Sequence, residues 1–184
     1  RSCAFSPDGA LLALGCASGK VELFSAASGY TRACVLRCHH EGVRPFRYSV
    51  TLTTTQSGKL MLAVGVRLYA VLCDVTAWRT FNESTVIEPV QTSVRNTATG
   101  SGVIALHGHT DAIQHVQFSP DGALLATASD DRSVKLWDTE TGELVHTLTP
   151  HDDFVRTVCF HPHNGHVMAT TCDNGTLRIW HSLP

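Results

Sequence analysis

Apolar residues along this chain fall in short runs of strand formers, cut by turn-forming clusters. The stretch 107–137 shows the pattern best. Ile113, Val116 and Phe118 lie in the first run. Ser119-Pro120-Asp121-Gly122 then turns the chain, because proline presets φ and glycine supplies a positive φ. Leu124 to Ala128 form a second run, apolar on both faces, as expected of a strand covered from both sides. Asp130 and Asp131 mark the next turn. Val134, Leu136 and Trp137 form a third strand, ended by Asp138, and Leu144 to Leu148 supply a fourth after Thr141-Gly142. The prediction is four short antiparallel strands with tight turns, an all-β unit that cannot bury both of its faces alone.

The same spacing recurs. Gly122 to Trp137 is matched by Gly165 to Trp180, Gly9 to Phe24 and Gly58 to Cys73. An aromatic precedes the turn in each unit: Phe118, Phe160, Phe5 and, further from its glycine, Tyr48. Four units follow, at 1–38, 39–106, 107–148 and 149–184. The second carries a lengthened first hairpin, Ser49 to Gln56, and an insertion at 75–102. Val103 to Leu106 then match Val145 to Leu148 as a fourth strand. The last unit stops before its fourth strand.

These units resemble WD40 repeats, whose period is about 40–45 residues and which build β-propellers. The resemblance implies about four propeller blades and part of a larger ring, of the common seven-bladed kind. The remaining blades would come from the same longer chain or another copy. It also implies a hydrogen-bonded set inside the blade: His109, Ser129, Asp131 and Trp137 in the third unit. The fourth unit keeps His151 and Trp180 but has Cys172 and Asn174 in the other two places. The second, with Gly65 and Arg67, is expected to form no such set. His109 beside Asp131 reads as structural glue, since no nucleophile accompanies the pair.

The resemblance points to rim residues beside the histidine and the acid turn as partner contacts: Thr110, Ala112 and Asp130, then Asp152, Phe154 and Asp173. Phe154 is an aromatic at an expected solvent-facing rim and so a candidate hot spot. In a propeller, both extensions of the second unit would leave the same face of the blade. Long irregular loops tend to be functional. Trp78 and Phe81 are therefore candidate anchors for a partner, with a strap over the blade edge as the plainer alternative.

Bulk properties narrow the classes. The chain has 184 residues, 43% apolar and 16% charged, with a net charge of −2, enough for one domain with a real core. It has no apolar run long enough to cross a membrane as a helix. Near-neutral charge without a Lys/Arg cluster argues against a nucleic-acid surface. Seven cysteines, an odd count, read as small core residues in a reducing compartment rather than a disulfide framework. Cys34, Cys38, His39 and His40 lack paired zinc-ligand spacing, and His161, His163 and His166 read as an exposed turn. No metal or cofactor is expected. The expected role is a non-enzymatic, intracellular scaffold binding other proteins: a WD40 subunit of a larger eukaryotic complex, cytoplasmic, cytoskeletal or nuclear. A structural part of a ciliary or microtubule assembly, and a regulatory domain of a longer enzyme, stay open.

Overall fold

A computed structural model describes residues 2–16, 20–37, 49–66, 68–76, 86–87, 94–95, 102–149 and 151–181. They form four sheets, each built on a meander of antiparallel strands, with one added edge strand in each of the first two. Blade 1 contains β1 (Ser2–Phe5), β2 (Leu11–Gly15), β3 (Lys20–Ser25) and β4 (Thr31–Arg37). Blade 2 contains β5 (Ser49–Thr54), β6 (Leu60–Val66) and β7 (Tyr69–Asp74). After β8 (Val86–Ile87) and β9 (Val94–Arg95) it is completed by β10 (Gly102–His107). Blade 3 is β11 (Ile113–Phe118), β12 (Leu124–Ser129), β13 (Val134–Asp138) and β14 (Leu144–Leu148). Blade 4 is β15 (Val155–His161), β16 (Asn164–Cys172) and β17 (Leu177–Trp180). Among the described residues the only helical element is one 3-10 turn at Ala26–Ser28.

Blades stack through their first strands: β1 lies beside β5, β5 beside β11 and β11 beside β15. Each interface is an apolar layer shared by two blades. Leu11, Ala13, Val21 and Leu23 of blade 1 meet Val50, Leu52, Leu62 and Val64 of blade 2. Ala70, Leu72 and Leu106 of blade 2 meet Ile113, Val116, Phe118 and Leu125 of blade 3. Ala126, Val134 and Leu136 of blade 3 meet Val155, Val158, Phe160 and Met168 of blade 4. This explains why Leu124 to Ala128 are apolar on both faces: the strand packs on a blade at either side.

A first strand has one open edge, whose N–H groups need acceptors. The preceding blade supplies them. Val50 N–H donates to Ser2 Oγ at 3.2 Å, and Val116 N–H to Ser49 Oγ at 3.0 Å. Val158 N–H donates to His115 Nδ1 at 3.5 Å, and Phe160 N–H to Gln117 Oε1 at 2.8 Å. Ser2, Ser49 and His115 hold one strand position, opposite Gly15, Gly65 and Ala128 respectively.

Blade 2 departs from expectation in its first strand. Ser49 to Thr54 pair fully with Leu60 to Gly65, so this run is strand rather than a lengthened hairpin. The turn closes tightly, with Thr55 N–H donating to the Lys59 carbonyl at 2.8 Å and Gly58 at φ 80°. Leu52, not Tyr48, therefore takes the place of Phe118, because it faces Leu62 as Phe118 faces Leu125. The extra residues fall between β4 and β5, at the other end of the blade from the 75–102 insertion. His39 and Tyr48 lie outside the described residues.

The insertion is not wholly irregular. β8 adds to the outer edge of blade 1, parallel to β4, with Val35 opposite Val86. β9 adds to the outer edge of blade 2, antiparallel to β10, with Val103 opposite Val94. A segment rooted in blade 2 thus pairs with the outer strands of two blades, which shields both edges from foreign pairing. Trp78 and Phe81 lie outside the described residues.

Candidate interaction surface

Two sets of polar residues shape the end of blades 3 and 4 that carries the second-to-third-strand turns. The inner set is a buried chain in blade 3. Asp131 Oδ2 bonds His109 Nδ1 at 2.7 Å, and His109 Nε2 meets Thr127 Oγ1 at 2.7 Å. Trp137 Nε1–H donates to the same Thr127 oxygen at 2.9 Å. Ser133 adds a donor to Asp131 Oδ1 at 2.6 Å. Burial alone would raise the Asp131 carboxyl. The bonds from His109 and Ser133 outweigh it and hold the group well below the usual carboxylate range.

Ser129 does not bridge His109 and Trp137, as the sequence had suggested. Its hydroxyl donates to the Asp111 carbonyl at 3.0 Å and accepts from Asp131 N–H at 3.1 Å, which tightens the acid turn. Thr127 and Ser129 share a face of the strand, so periodicity could not choose between them. Reach decides it. Trp137 pairs with Leu125, so Thr127 is its diagonal neighbour while Ser129 stands a further two residues away.

In blade 4, His151 Nε2 meets Thr170 Oγ1 at 2.7 Å, and Trp180 Nε1–H donates to that oxygen at 2.9 Å. The acid is missing. Asn174 Oδ1 accepts from Cys172 Sγ at 2.8 Å and Thr176 N–H at 2.9 Å instead. His151 Nδ1 is left buried without a hydrogen-bond partner among the described residues. Burial, then the nearby Arg178 charge, lowers the His151 pKa. Blade 2 has Val64 and Cys73 at the Thr127 and Trp137 positions, which rules out this chain of bonds there.

The outer set joins the two blades. Arg156 Nη1 bonds Asp130 Oδ1 at 2.9 Å, and Arg156 Nε bonds Asp173 Oδ1 at 2.6 Å, with Nη2 on the second Asp173 oxygen. Gln114 Nε2 holds the other Asp130 oxygen at 2.5 Å. The Arg156 guanidinium lies 5.3 Å from the centroid of the Phe154 ring. Phe154 is 38% exposed, and its carbonyl accepts Asp173 N–H at 3.0 Å. Partial burial, with the charges of Asp111 and Asp173, raises the Asp130 carboxyl against the pull of Gln114 and Arg156. One arginine thus clamps the acid turns of two blades and backs an exposed aromatic ring.

The structure brings Ala112, Asp130, Phe154 and Asp173 together at this rim, since Asp130 N–H also donates to the Ala112 carbonyl at 2.9 Å. Thr110 is exposed beside them, its N–H on Asp131 Oδ2 at 3.1 Å. Asp152 stands into solvent, with Arg178 at 3.9 Å. Arg156 and Gln114 were not among the sequence candidates. They share one place, the residue after Ile113 and Val155 that opens each first strand, and that shared place was the available signal. Cys34 is buried and its thiol pushed up to about 12, which keeps it protonated and a poor metal ligand.

The WD40 family signature, described as WD domain, G-beta repeat, matches residues 100–138 and 142–181. These two stretches of the chain are WD40 repeats. Each match begins one strand early: 100–138 runs from β10 of blade 2 through β13, and 142–181 from β14 of blade 3 through β17. A WD40 repeat here therefore donates its first strand to the preceding blade, which interlocks the stack. Over 83 residues the chain is 40% identical to nuclear distribution protein PAC1 of Arthroderma benhamiae, covering 41% of this chain and 18% of that protein. It is 26% identical over 202 aligned positions to the periodic tryptophan protein 2 homolog of Dictyostelium discoideum, covering 96% of this chain and 21% of that one. Protein Mut11 of Chlamydomonas reinhardtii is 60% identical over 43 residues, or 23% of this chain and 12% of the relative. The chain thus spans about a fifth or less of the length of these relatives.

Proposed function

We propose that this WD40 chain is a non-enzymatic protein-interaction scaffold, a subunit of a larger intracellular eukaryotic complex, with the rim of blades 3 and 4 as its contact face. The observation that supports this reading is the Arg156 clamp. It fixes Phe154, Asp130 and Asp173 on two rigid blades, so an exposed aromatic and two carboxylates are presented with little ordering left to do on binding. Its chemistry suits recognition rather than catalysis: the hydroxyl and imidazole groups nearby are tied into structural bonds, and none is poised as a nucleophile with a free base. Thr110, Ala112 and Asp152 extend the same surface.

The test is quantitative affinity purification of the full chain from cells. Phe154→Asp is compared with wild type and with Leu144→Asp, a change on the exposed outer strand of blade 3. The scaffold reading expects a set of proteins lost with Phe154→Asp and retained with Leu144→Asp. Identical protein sets from all three would refute the rim assignment.

A further inference from the structure

In blade 3 the Asp131 carboxylate closes the buried chain of bonds by meeting His109 Nδ1 at 2.7 Å. Blade 4 keeps the same histidine, hydroxyl and tryptophan but has Asn174 at the place of the acid. His151, only 4% exposed, is left with Nδ1 buried and without a partner among the described residues. The blade therefore holds a place for a carboxylate and fills it with the corresponding amide. An asparagine amide becomes an acid by reaction with its own backbone and water, and Asn174 is followed by Gly175 at an exposed turn between β16 and β17.

The chemistry balances with water as the only co-reactant. The Gly175 backbone nitrogen gives its proton to solvent and bonds Asn174 Cγ. The bond from Cγ to Nδ2 breaks, ammonia leaves, and a cyclic imide remains. Water then opens the ring. Breaking the bond from Cγ to nitrogen yields aspartate and restores the chain. Breaking the bond from the backbone carbonyl carbon to nitrogen yields isoaspartate, with the chain running through Cγ.

The local geometry favours this at Asn174. Gly175 puts no side chain beside the attacking nitrogen, and even a Cβ there would meet nothing within 4 Å, so water reaches the ring. Asn174 Oδ1 accepts from Thr176 N–H at 2.9 Å and from Cys172 Sγ at 2.8 Å. Negative charge develops on that oxygen as nitrogen adds to Cγ, and fixed donors aimed at it lower the barrier. One bond opposes attack: Gly175 N–H donates to the Cys172 carbonyl at 3.0 Å, so reaction waits on local opening of the turn. The chain's other Asn-Gly pair is placed differently. Asn164 is held in the ladder opposite His161, and a Cβ on Gly165 would touch Asp121 of blade 3 at 3.8 Å.

We propose that Asn174 is a deamidation site, and that the aspartate formed there supplies the carboxylate His151 lacks. The isoaspartate product does the opposite. It adds an atom to the backbone of the turn and disturbs the bond from Cys172 N–H to the Thr176 carbonyl at 3.1 Å. Either product places a new negative charge next to Asp173. The proposal holds whether or not the rim is a contact face.

The experiment ages the purified full chain in mildly alkaline buffer and follows it by peptide mapping and mass spectrometry. The Asn174 peptide is expected to gain the mass difference between amide and acid ahead of the Asn164 peptide. Chains carrying aspartate at this place, separated by ion exchange, melt roughly 2–4 °C above the fresh chain. Burial and the Arg178 charge hold the His151 pKa down, and a facing carboxylate moves its titration to higher pH in the NMR spectrum. Asn174→Asp shows both shifts from the start, and Asn174→Gln, whose longer side chain closes the ring poorly, keeps its amide. An Asn174 amide that survives in the folded chain while it is lost in denaturant would overturn the proposal, as would conversion confined to Asn164. An aspartate form with the melt and the His151 titration of the fresh chain would overturn it too.

Discussion

Replacing Thr127 with valine keeps the shape of the side chain and removes one oxygen. That oxygen receives Trp137 Nε1–H at 2.9 Å and meets His109 Nε2 at 2.7 Å, with Thr127 wholly buried. Each buried polar group left without a partner costs about 1–3 kcal/mol. Two are left here, and because they belong to one network their costs do not simply add, so the loss comes to about 2–5 kcal/mol. For a domain this size each kcal/mol moves the melting temperature by roughly 2–4 °C, so a loss near 3 kcal/mol lowers it by about 6–12 °C. Ser129→Ala is the control. Ser129 bonds Asp111 and Asp131 at the end of the strand, where Asp111 is exposed and water can replace the lost hydroxyl, so its cost is about 1 kcal/mol. Thermal and urea unfolding, followed by tryptophan fluorescence, measure both. A Ser129→Ala loss equal to or larger than that of Thr127→Val would refute this assignment of the bridging hydroxyl.

Three further outcomes follow from the same geometry. Asn174→Asp gives His151 Nδ1 a carboxylate like the one His109 has, and raises stability by about 1 kcal/mol in a chemical melt at neutral pH. The lowered His151 pKa means the unfolded chain takes up a proton that the folded chain resists. Stability is therefore complete above the ordinary histidine value near 6.5 and falls as pH drops below it, while a depressed Asp131 contributes stability above about pH 4 that is lost in acid. Asp131→Asn removes the second of these losses from the pH–stability curve and leaves the first. Gly142→Ala is expected to cost about 1–3 kcal/mol, since Gly142 has φ 75° and a Cβ there would sit 2.4 Å from Ile104 Cγ2.

Motif residues with fixed spacing were legible in the sequence. The Ser119-to-Gly122 turn follows from local chemistry, whereas the His109–Asp131 pair, 2.7 Å apart, was legible only through the resemblance to WD40 repeats. The bridging hydroxyl was not legible, since Thr127 and Ser129 alternate onto the same face and only the cross-strand diagonal separates them. The first strand of blade 2 was misplaced for a related reason. Ser49 to Thr54 is rich in threonine and polar enough to pass for loop, yet its β-branched residues suit a ladder, and Val50 and Leu52 reach the core. Arg156 and Gln114 carry no motif, and their role appears only when two blades stand side by side. The edge strands within 75–102 were hidden by composition, because two-residue pairings leave no periodicity to find.

The account rests on blades stitched to one another through their first strands, so the most direct measurement is amide hydrogen exchange at Val116 and Phe160. Both N–H groups lie on the open edge of a strand, and each donates to a side chain of the preceding blade, at 3.0 and 2.8 Å. The account predicts exchange as slow as that of the central strands β12 and β16. Exchange at those two amides as fast as in the exposed turn at Asp152–Asp153 would contradict it.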